Sequence, residues 1–195
     1  SETPEGSNCG LVKNLALSAI ISISVDSSDV RQKLDDLGVE DFLDVSNSVK
    51  KTGARVFLDG KFIGYFPDGE ELISSLRELR RNNKISSHVG ISLHTPEEEG
   101  ATKRLYINCN AGRVLRPVIL IKDGKSLLTN DLIEKTSKKL VSWLDLIRMG
   151  VIELIDANEE ENCDITFDKK YKEIYSSRNI LISDIRCRCF HHPIS

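Results

Sequence analysis

The sequence predicts an α+β fold made of two small mixed α/β units, in which antiparallel hairpins carry short packing helices. Two observations lead to this class. Turn-forming pairs such as Asp59-Gly60 separate short runs rich in β-branched and aromatic residues, and amphipathic stretches with helical spacing lie between those runs. At 195 residues, of which 39% are hydrophobic, the chain is long enough to bury one large core or two small ones.

The first elements are a loop, a short helix and a strand. Residues 3–8 contain Pro, Gly and Asn and therefore predict a loop. Residues 10–18 carry apolar side chains at helical spacing, which predicts a short and largely buried helix. Apolar residues and serines then alternate and predict a strand, which comprises Ile21, Ser22, Ile23, Ser24 and Val25.

A helix, a hairpin and a second helix follow. The segment Ser27-Ser28-Asp29 offers an N-cap, and Gly38 is suited to end the helix. Residues 55–66 predict a hairpin, in which Asp59-Gly60 favours a type I′ turn. The second helix covers about 70–82, and its basic residues gather near its C-terminal end, where cations complement the helix dipole: Arg77, Arg80, Arg81 and Lys84.

The second half continues with strands and helices and ends in weaker signals. Strands are predicted at 89–93, 104–108, 118–121, 151–155 and 180–182, and helices at 130–140 and 142–148. Turns are predicted at Asn110-Ala111-Gly112, Asp123-Gly124 and Met149-Gly150, and acidic loops at 96–100 and 156–161. The best place to divide the chain into two units is near residues 84–90.

Composition excludes several classes of protein. The net charge is −3, whereas a dedicated nucleic-acid binder usually carries a basic excess. No apolar run reaches the roughly 18 residues that a membrane span needs, so we expect no membrane partner. Five cysteines are too few for a disulfide scaffold, which favours a reducing, intracellular setting. The chain opens without Met on turn-like residues, and we expect it to be a piece of a longer protein.

Three groups of residues in the sequence could form a metal or anion site, but their patterns are more typical of structural or solvated residues. Residues 187–192 (Cys-Arg-Cys-Phe-His-His), with Cys163, contain zinc-ligand types, but one residue between cysteines is shorter than structural zinc sites use, so we expect no metal. The acidic runs 97–99 and 159–161 are interpreted as solvated loops rather than cation sites. The basic helix end is interpreted as solvated, with phosphate contact as the less favoured alternative. No nucleophile, metalloprotease or phosphate-loop motif is present.

Four motifs in order carry a resemblance to a known family. The segments are Glu2 to Leu17 (ETPEGSNCGLVKNLAL), Arg55 to Gly60 (RVFLDG), Ala111 to Pro117 (AGRVLRP), and Gly150 to Glu161 (GVIELIDANEEE). They resemble the second-largest, β-type subunit of multisubunit DNA-directed RNA polymerase, in its archaeal and eukaryotic form. The short loops near 95–102 and 122–130 favour the archaeal form, and the tail after about residue 165 departs from the family pattern.

The resemblance implies domain limits and a candidate site. It places the end of the fork region at 1–25, the external 1 domain at 26–86 and the external 2 domain at 87–195. It implies no catalytic residue here, and it implies that Arg113 and Arg116 pair with acidic residues between domains. Only the first segment is expected to approach the RNA–DNA hybrid, through Thr3, Pro4, Glu5, Gly6, Asn8 and Lys13. Glu5 is expected to order this loop by accepting hydrogen bonds, and Gly6 to adopt a positive φ.

The resemblance also implies partners, cofactors and location. It predicts a non-catalytic structural part of an RNA nucleotidyltransferase, with the other polymerase subunits and the hybrid as partners. No cofactor is expected in this segment, since the magnesium of the assembled enzyme would be bound by the largest subunit. The location would be cytoplasmic for an archaeal protein and nuclear for a eukaryotic one. A free-standing regulatory module for protein interaction is the alternative, and an independent metalloenzyme is a weaker one.

Overall fold

The computed structural model describes residues 5–12, 15–43, 49, 52–96, 101–122, 125–166 and 180–182. These residues form helices and two mixed sheets without a closed barrel, which confirms the α+β class. In the described part of the chain, no helix is both long enough and apolar enough to cross a lipid bilayer.

The elements follow one another in this order. A 3₁₀ turn at Gly6–Asn8 precedes β1 (Ile20–Ile21), α1 (Ser27–Asp36), β2 (Glu40–Asp41), β3 (Ala54–Leu58), β4 (Lys61–Phe66), α2 (Gly69–Arg81), β5 (Gly90–His94), β6 (Arg104–Asn108), β7 (Val114–Lys122), β8 (Lys125–Ser126), α3 (Asn130–Ser137), α4 (Trp143–Arg148), β9 (Ile152–Ile155), α5 (Ala157–Glu160), β10 (Asp164–Thr166) and β11 (Ile180–Ile182).

The first sheet has five strands in the order β2-β4-β3-β6-β5. Strands β3 and β4 form the predicted hairpin, and positive φ values of 49° at Asp59 and 78° at Gly60 agree with the type I′ turn. Strand β6 pairs in parallel with β3 and antiparallel with β5. Helices α1 and α2 cover one face of this sheet and bury a continuous apolar core, which includes Leu34, Val56, Leu72, Leu76, Ile91 and Leu105.

The second sheet is organised around the long strand β7. Strands β1, β8, β9 and β11 all pair antiparallel with β7, and Ile119 of β7 pairs with both β9 and β11. Strand β10 joins in parallel with β11. Small apolar clusters form on this sheet, and the largest packs Leu146 of α4 with Val151 and Ile152.

Helix caps follow ordinary capping chemistry. The side chain of Asp26, one residue before the predicted cap, accepts a hydrogen bond from Ser28 N and begins α1. Asp68 begins α2 in the same way. Ser142 and Asp145 form a reciprocal capping box on α4. Gly38 has a φ of 91° and follows α1, as its predicted role as a stop requires.

Two predictions for the first segment are wrong. The described residues between 10 and 18 form turns rather than a helix, and Leu11 and Leu17 are 74% and 86% exposed. A short helix is unstable unless packing supports it, and neither leucine packs against the core clusters of the described residues. The strand predicted at 21–25 is also wrong in extent, because β1 comprises only Ile20–Ile21. Of the residues that follow β1, Ser22 is buried and Ile23 is exposed.

The reason for the buried serine is a hydrogen-bonded turn. Ser22 Oγ donates to Asn110 O at 3.1 Å and accepts from Arg113 N at 2.9 Å. The backbone of Ser22 also bonds to Gly112 N and to Arg113 O, so Ser22 holds the turn of residues 110–112. Because both hydroxyl functions are used, the serine faces inward and its apolar neighbours face outward.

Two further predictions in the second half need correction. The strand predicted at 118–121 is longer than expected, because β7 begins at Val114 and ends at Lys122. The predicted acidic loop 156–161 contains the short helix α5, whose first turn is capped by Asp156. The first sheet also takes strands from both sides of residues 86 and 87, so the two predicted units share a sheet there. The assignment of 1–25, 26–86 and 87–195 to family domains stays a prediction.

Candidate functional site

The predicted hybrid-facing loop is an exposed 3₁₀ turn. Glu5 precedes the turn with an extended backbone, Gly6 has a φ of 72°, and Asn8 accepts hydrogen bonds at its carbonyl from Leu11 N and Val12 N. The positive φ expected for Gly6 is therefore confirmed. A Cβ on Gly6 would meet no atom within 4 Å, so the constraint on this residue is its backbone angle and not crowding.

The structure covers only part of the predicted set. Glu5, Gly6 and Asn8 are described and all are exposed, whereas Thr3, Pro4 and Lys13 lie outside the described residues. Within that part of the chain, the Glu5 side chain makes no capping hydrogen bond to the turn. Its predicted role in ordering the loop, and the approach of the loop to nucleic acid, stay predictions.

A second group of polar residues, the arginine–glutamate cluster, consists of Arg77, Arg80, Arg81, Glu153 and Glu159. Arg80 lies at the centre and is only 4% exposed. Its guanidinium makes five hydrogen bonds: two to Glu153 Oε1, one to each carboxylate oxygen of Glu159, and one to the carbonyl of Val89. The shortest distances, from Nη2 to the two carboxylates, are both 2.6 Å.

The outer two arginines complete the cluster. Arg77 Nε donates to Glu159 Oε1 at 3.1 Å, and Arg81 Nη2 donates to Glu153 Oε2 at 2.8 Å. All three arginines belong to α2, whereas the carboxylates come from β9 and α5, so the cluster joins the first sheet's helix to the second sheet. Because the spacing of 77, 80 and 81 places these side chains on one side of the helix, they meet a single docking segment.

Electrostatics keep this cluster charged although it is buried. Burial disfavours the charged form of Arg80 and by itself would lower the pKa of the guanidinium. The adjacent carboxylates of Glu159 and Glu153 have the larger combined effect and raise the pKa of Arg80. Burial alone would raise the pKa of Glu153, yet Arg80 and Arg81 hold that pKa below its ordinary value. Buried charges are tolerated only when they are paired and hydrogen-bonded in this way.

A smaller ion pair lies beside the cluster. Arg113 Nη1 donates to Asp156 Oδ2 at 2.6 Å, and Arg113 Nη2 donates to the carbonyl of His88. A Cβ on Gly90 would lie 2.3 Å from Asp156 Oδ2 and 2.4 Å from Arg113 Nη1, so a side chain at this position would force the ion pair to shift. Arg116 likewise donates to Glu160. Both arginines pair with acidic residues as expected, but Asp156 and Glu160 lie within the same predicted domain as the arginines, 87–195, so the expectation that the pairs join two domains is wrong.

Asn162 docks the same segment onto the sheet edge. Its Oδ1 accepts from Leu93 N and its Nδ2 donates to Leu93 O, both at 2.7 Å. The amide side chain therefore imitates a neighbouring strand at the edge of β5. Residues 153–162 thus attach to the first sheet through ion pairs and through backbone hydrogen bonds.

Sequence reasoning missed the cluster although it singled out its members. The solvated interpretation is wrong for Arg80 and for Glu159, which is fully buried. Runs of like charge look the same in sequence whether they face water or groups of opposite charge. The available signal was the matching of three arginines on one helix with the glutamates at 153 and 159. The acidic run 97–99 and the segment 187–192 lie outside the described residues.

The arginine–glutamate cluster joins elements of the fold through charged hydrogen bonds. Burial raises the pKa of the Cys109 and Cys163 thiols to about 11, so these thiols stay protonated at neutral pH. Among the described residues, no group of His, Cys, Asp and Glu has the geometry to hold a metal ion.

Comparison with known proteins gives matches along most of the chain. Sequence models of RNA polymerase Rpb2 match in order: domain 3 at residues 1–21, domain 4 at 56–122 and domain 5 at 143–180. DNA-directed RNA polymerase subunit Rpo2 of Sulfolobus acidocaldarius is 37% identical over 192 residues, and that of Saccharolobus shibatae is 38% identical over 191. DNA-directed RNA polymerase II subunit RPB2 of Encephalitozoon cuniculi is 34% identical over 193 residues.

The matches cover most of this chain but only a small part of each relative. The two archaeal matches cover 90% of this chain, and the microsporidian match covers 99%. The chain in turn spans 16–17% of the length of these relatives. The three matched domains have the consecutive numbers 3, 4 and 5, and they occur in that order along the chain. The four motifs described in the sequence analysis also occur in the order that the family shows. The chain therefore belongs to the family of second-largest subunits of DNA-directed RNA polymerase, of which it represents a segment spanning domains 3 to 5.

Proposed function

We propose that this segment is a non-catalytic structural part of a DNA-directed RNA polymerase, and that the other polymerase subunits are its partners. The observation that carries the proposal is the ordered match to three consecutive domains of one subunit. The arginine–glutamate cluster supports it, because the cluster fixes the two sheets against each other without forming a reactive site. The isolated chain is expected to synthesise no RNA.

The finer part of the proposal concerns the loop at residues 3–13. Its turn exposes Gly6 and Asn8 in a conformation that brings backbone groups and an amide to the surface. Backbone N–H groups and amides are suited to contacting phosphates and riboses of an RNA–DNA hybrid. Within the assembled enzyme, we assign the hybrid contact to this loop.

Cofactor and location follow from the same proposal. Magnesium would be bound by the largest subunit and not by this segment. An archaeal protein would act in the cytoplasm, and a eukaryotic one in the nucleus. A free-standing regulatory module remains the alternative, and the reading frame of the parent gene beyond residue 195 distinguishes the two.

The test is transcription by polymerase reconstituted with the complete subunit that carries a loop variant. Asn8→Ala removes one polar contact, worth about 1 kcal/mol, and Gly6→Val imposes a positive φ on a β-branched residue at about 1 to 2 kcal/mol or more. We expect both variants to assemble and to elongate more slowly or to hold the hybrid less stably. The matched control replaces Glu97, Glu98 and Glu99 by Gln, and it should elongate like the parent enzyme. Normal elongation by Asn8→Ala, together with stalling of the control, would overturn the hybrid assignment.

A further inference from the structure

The face of the first sheet opposite its helices carries two rows of side chains that run across the strands. This face is called the outer face below. Register pairs Tyr65 with Arg55, Arg55 with Arg104, and Arg104 with His94, which forms a basic row. An aromatic row aligns Phe62, Phe57 and Tyr106; it lies two residues further along β3 and β6, and three residues along β4, where the register shifts. The two rows are separated by about 7 Å, the repeat of side chains on one face of a strand.

Within the described part of the chain, the basic row has no acidic partner. Arg55 and Arg104 lie directly opposite each other on adjacent strands, and like charges in that position repel. Among the described residues, no carboxylate forms an ion pair with either arginine. In the same part of the chain, Arg55 Nε is buried and has no hydrogen-bond partner. An anion bound across the two guanidinium groups would remove the repulsion and supply the missing acceptor.

The aromatic row is a partly exposed surface beside these charges. The rings of Phe57 and Tyr106 are stacked with centroids 5.2 Å apart and planes inclined by 23°. Phe62 lies 5.4 Å from Phe57 and is 40% exposed. Aromatic side chains on a sheet surface, flanked by arginines, are a recurring platform for stacking unpaired bases.

A groove continues the outer face toward α5. It has a volume of about 610 Å³, and Arg104, Tyr106 and Asn108 line it from β6. Ser92, His94 and Asn158 add a hydroxyl, an imidazole and an amide, which are partners for the edges of bases. Glu161 is also on its wall. The volume falls in the range of small-molecule sites and suits one or two nucleotides better than a folded partner.

We infer that the outer face binds single-stranded nucleic acid, with phosphates on the basic row and unpaired bases against the aromatic row and the groove. Charge complementarity decides the occupant: the unpaired arginines call for a polyanion, and the amide, imidazole and hydroxyl groups beside them match base edges, which an acidic peptide does not require. The outer face includes none of residues 3–13, and the inference does not depend on the hybrid contact proposed for that loop.

The experiment measures fluorescence anisotropy of labelled twelve-nucleotide uridine RNA and thymidine DNA with the 195-residue chain at low salt. We expect the parent chain to bind one or both oligonucleotides with a dissociation constant below about 100 μM. Arg104→Gln should weaken binding at least about fivefold and reduce the slope of log affinity against log salt by about 1. The control is Arg148→Gln, which removes the same charge from an exposed arginine on α4 and should change the affinity less than about twofold.

A second measurement locates the bound strand. Photo-crosslinking of the same RNA with 4-thiouridine, followed by mass spectrometry, should label the peptides containing Phe57 or Tyr106. RNA labelling without DNA binding assigns the face to RNA, and equal binding assigns it to any single strand. The inference is wrong if the parent chain binds neither oligonucleotide, if both arginine variants lose affinity equally, or if the crosslinks lie elsewhere. A circular dichroism spectrum unchanged by Arg104→Gln excludes loss of fold as the cause.

Discussion

Arg80 uses every N–H donor of its guanidinium inside the protein, and this saturation explains how a charge can be buried to 4% exposure. A lysine at this position has three donors on a single atom and could not reach Val89 O and two carboxylates in one plane. Individual residues around the cluster are similarly constrained by their geometry. Gly90 is the clearest case, because the space beside it is filled by Asp156 and Arg113.

The first prediction concerns that glycine. Gly90→Ala should destabilise the chain by about 2 to 3 kcal/mol, because its methyl group would overlap the Arg113–Asp156 ion pair. Chemical denaturation followed by circular dichroism measures the loss. An Asp156→Ala background removes the closest atom and releases Arg113 Nη1, 2.4 Å from the added Cβ, from its ion pair, so the additional cost of Gly90→Ala should fall below about 1 kcal/mol. An equal cost in both backgrounds would show that crowding by the ion pair is not the reason.

At the scale of helices, strands and turns, sequence patterns predicted correctly those elements that depend on interactions between residues close in sequence. The Asp59-Gly60 turn and the helices α1 and α2 depend on neighbours in sequence, so their residue types sufficed to predict them, although the cap of α1 is Asp26 and not a residue of the predicted segment 27–29. The helix at 10–18 was wrong because helical spacing does not state whether a packing surface exists. The burial of Ser22 and of Glu159 depends on partners about 90 and 80 residues away, at Arg113 and Arg80, which no local pattern reveals.

The candidate site also has features that the sequence could predict and features that it could not. The positive φ of Gly6 was predictable from the residue type and its loop context. The pairing of Arg113 and Arg116 followed from the family resemblance, and not from spacing. The outer face of the first sheet was not predicted, because its basic row arises only when β3 and β6, remote in sequence, pair in parallel.

The second prediction tests the docking of one element on another. Asn162→Ala should remove both hydrogen bonds to Leu93 and cost about 2 kcal/mol, since each bond contributes about 1 kcal/mol. Hydrogen exchange detected by mass spectrometry should show faster exchange in the segment containing β5. The control Asn158→Ala, on an exposed side chain of α5, should leave this exchange unchanged. Unchanged β5 protection in Asn162→Ala would contradict the docking role.

At the scale of the molecule, the arginine–glutamate cluster decides whether the two sheets behave as one body. Glu153→Gln would keep the shape of the side chain but leave Arg80 and Arg81 short of a negative charge. Breaking a buried ion pair in this way typically costs about 3 to 5 kcal/mol. The third prediction is a loss of this size in the free energy of unfolding, measured by denaturation at neutral pH. Glu134→Gln, at an exposed ion pair of α3, should cost less than about 0.5 kcal/mol.

Glu153 should also make the stability of the folded chain depend on pH. The folded-state pKa of Glu153 lies below its ordinary value of 4.5, so its contribution is fully present above pH 4.5 and is lost as the pH falls through the folded-state pKa. The parent chain should therefore lose stability below about pH 4.5. Glu153→Gln should show a shallower decline over the same range. Parallel curves for the two proteins would show that Glu153 does not carry this dependence.

The parallel pairing of β3 with β6 has a consequence during synthesis on the ribosome. The hairpin of β3 and β4 can form once residue 66 has emerged, but the other side of β3 finds its partner only after residue 108. If the ribosome adds about 5 to 20 residues per second, the side of β3 that later pairs with β6 stays unpaired for roughly 2 to 8 seconds in the nascent chain. An open inner strand is a template for pairing with other chains. Slow codons between residues 66 and 108 would lengthen this interval, and nascent chains stalled there would be the ones that chaperones have to protect.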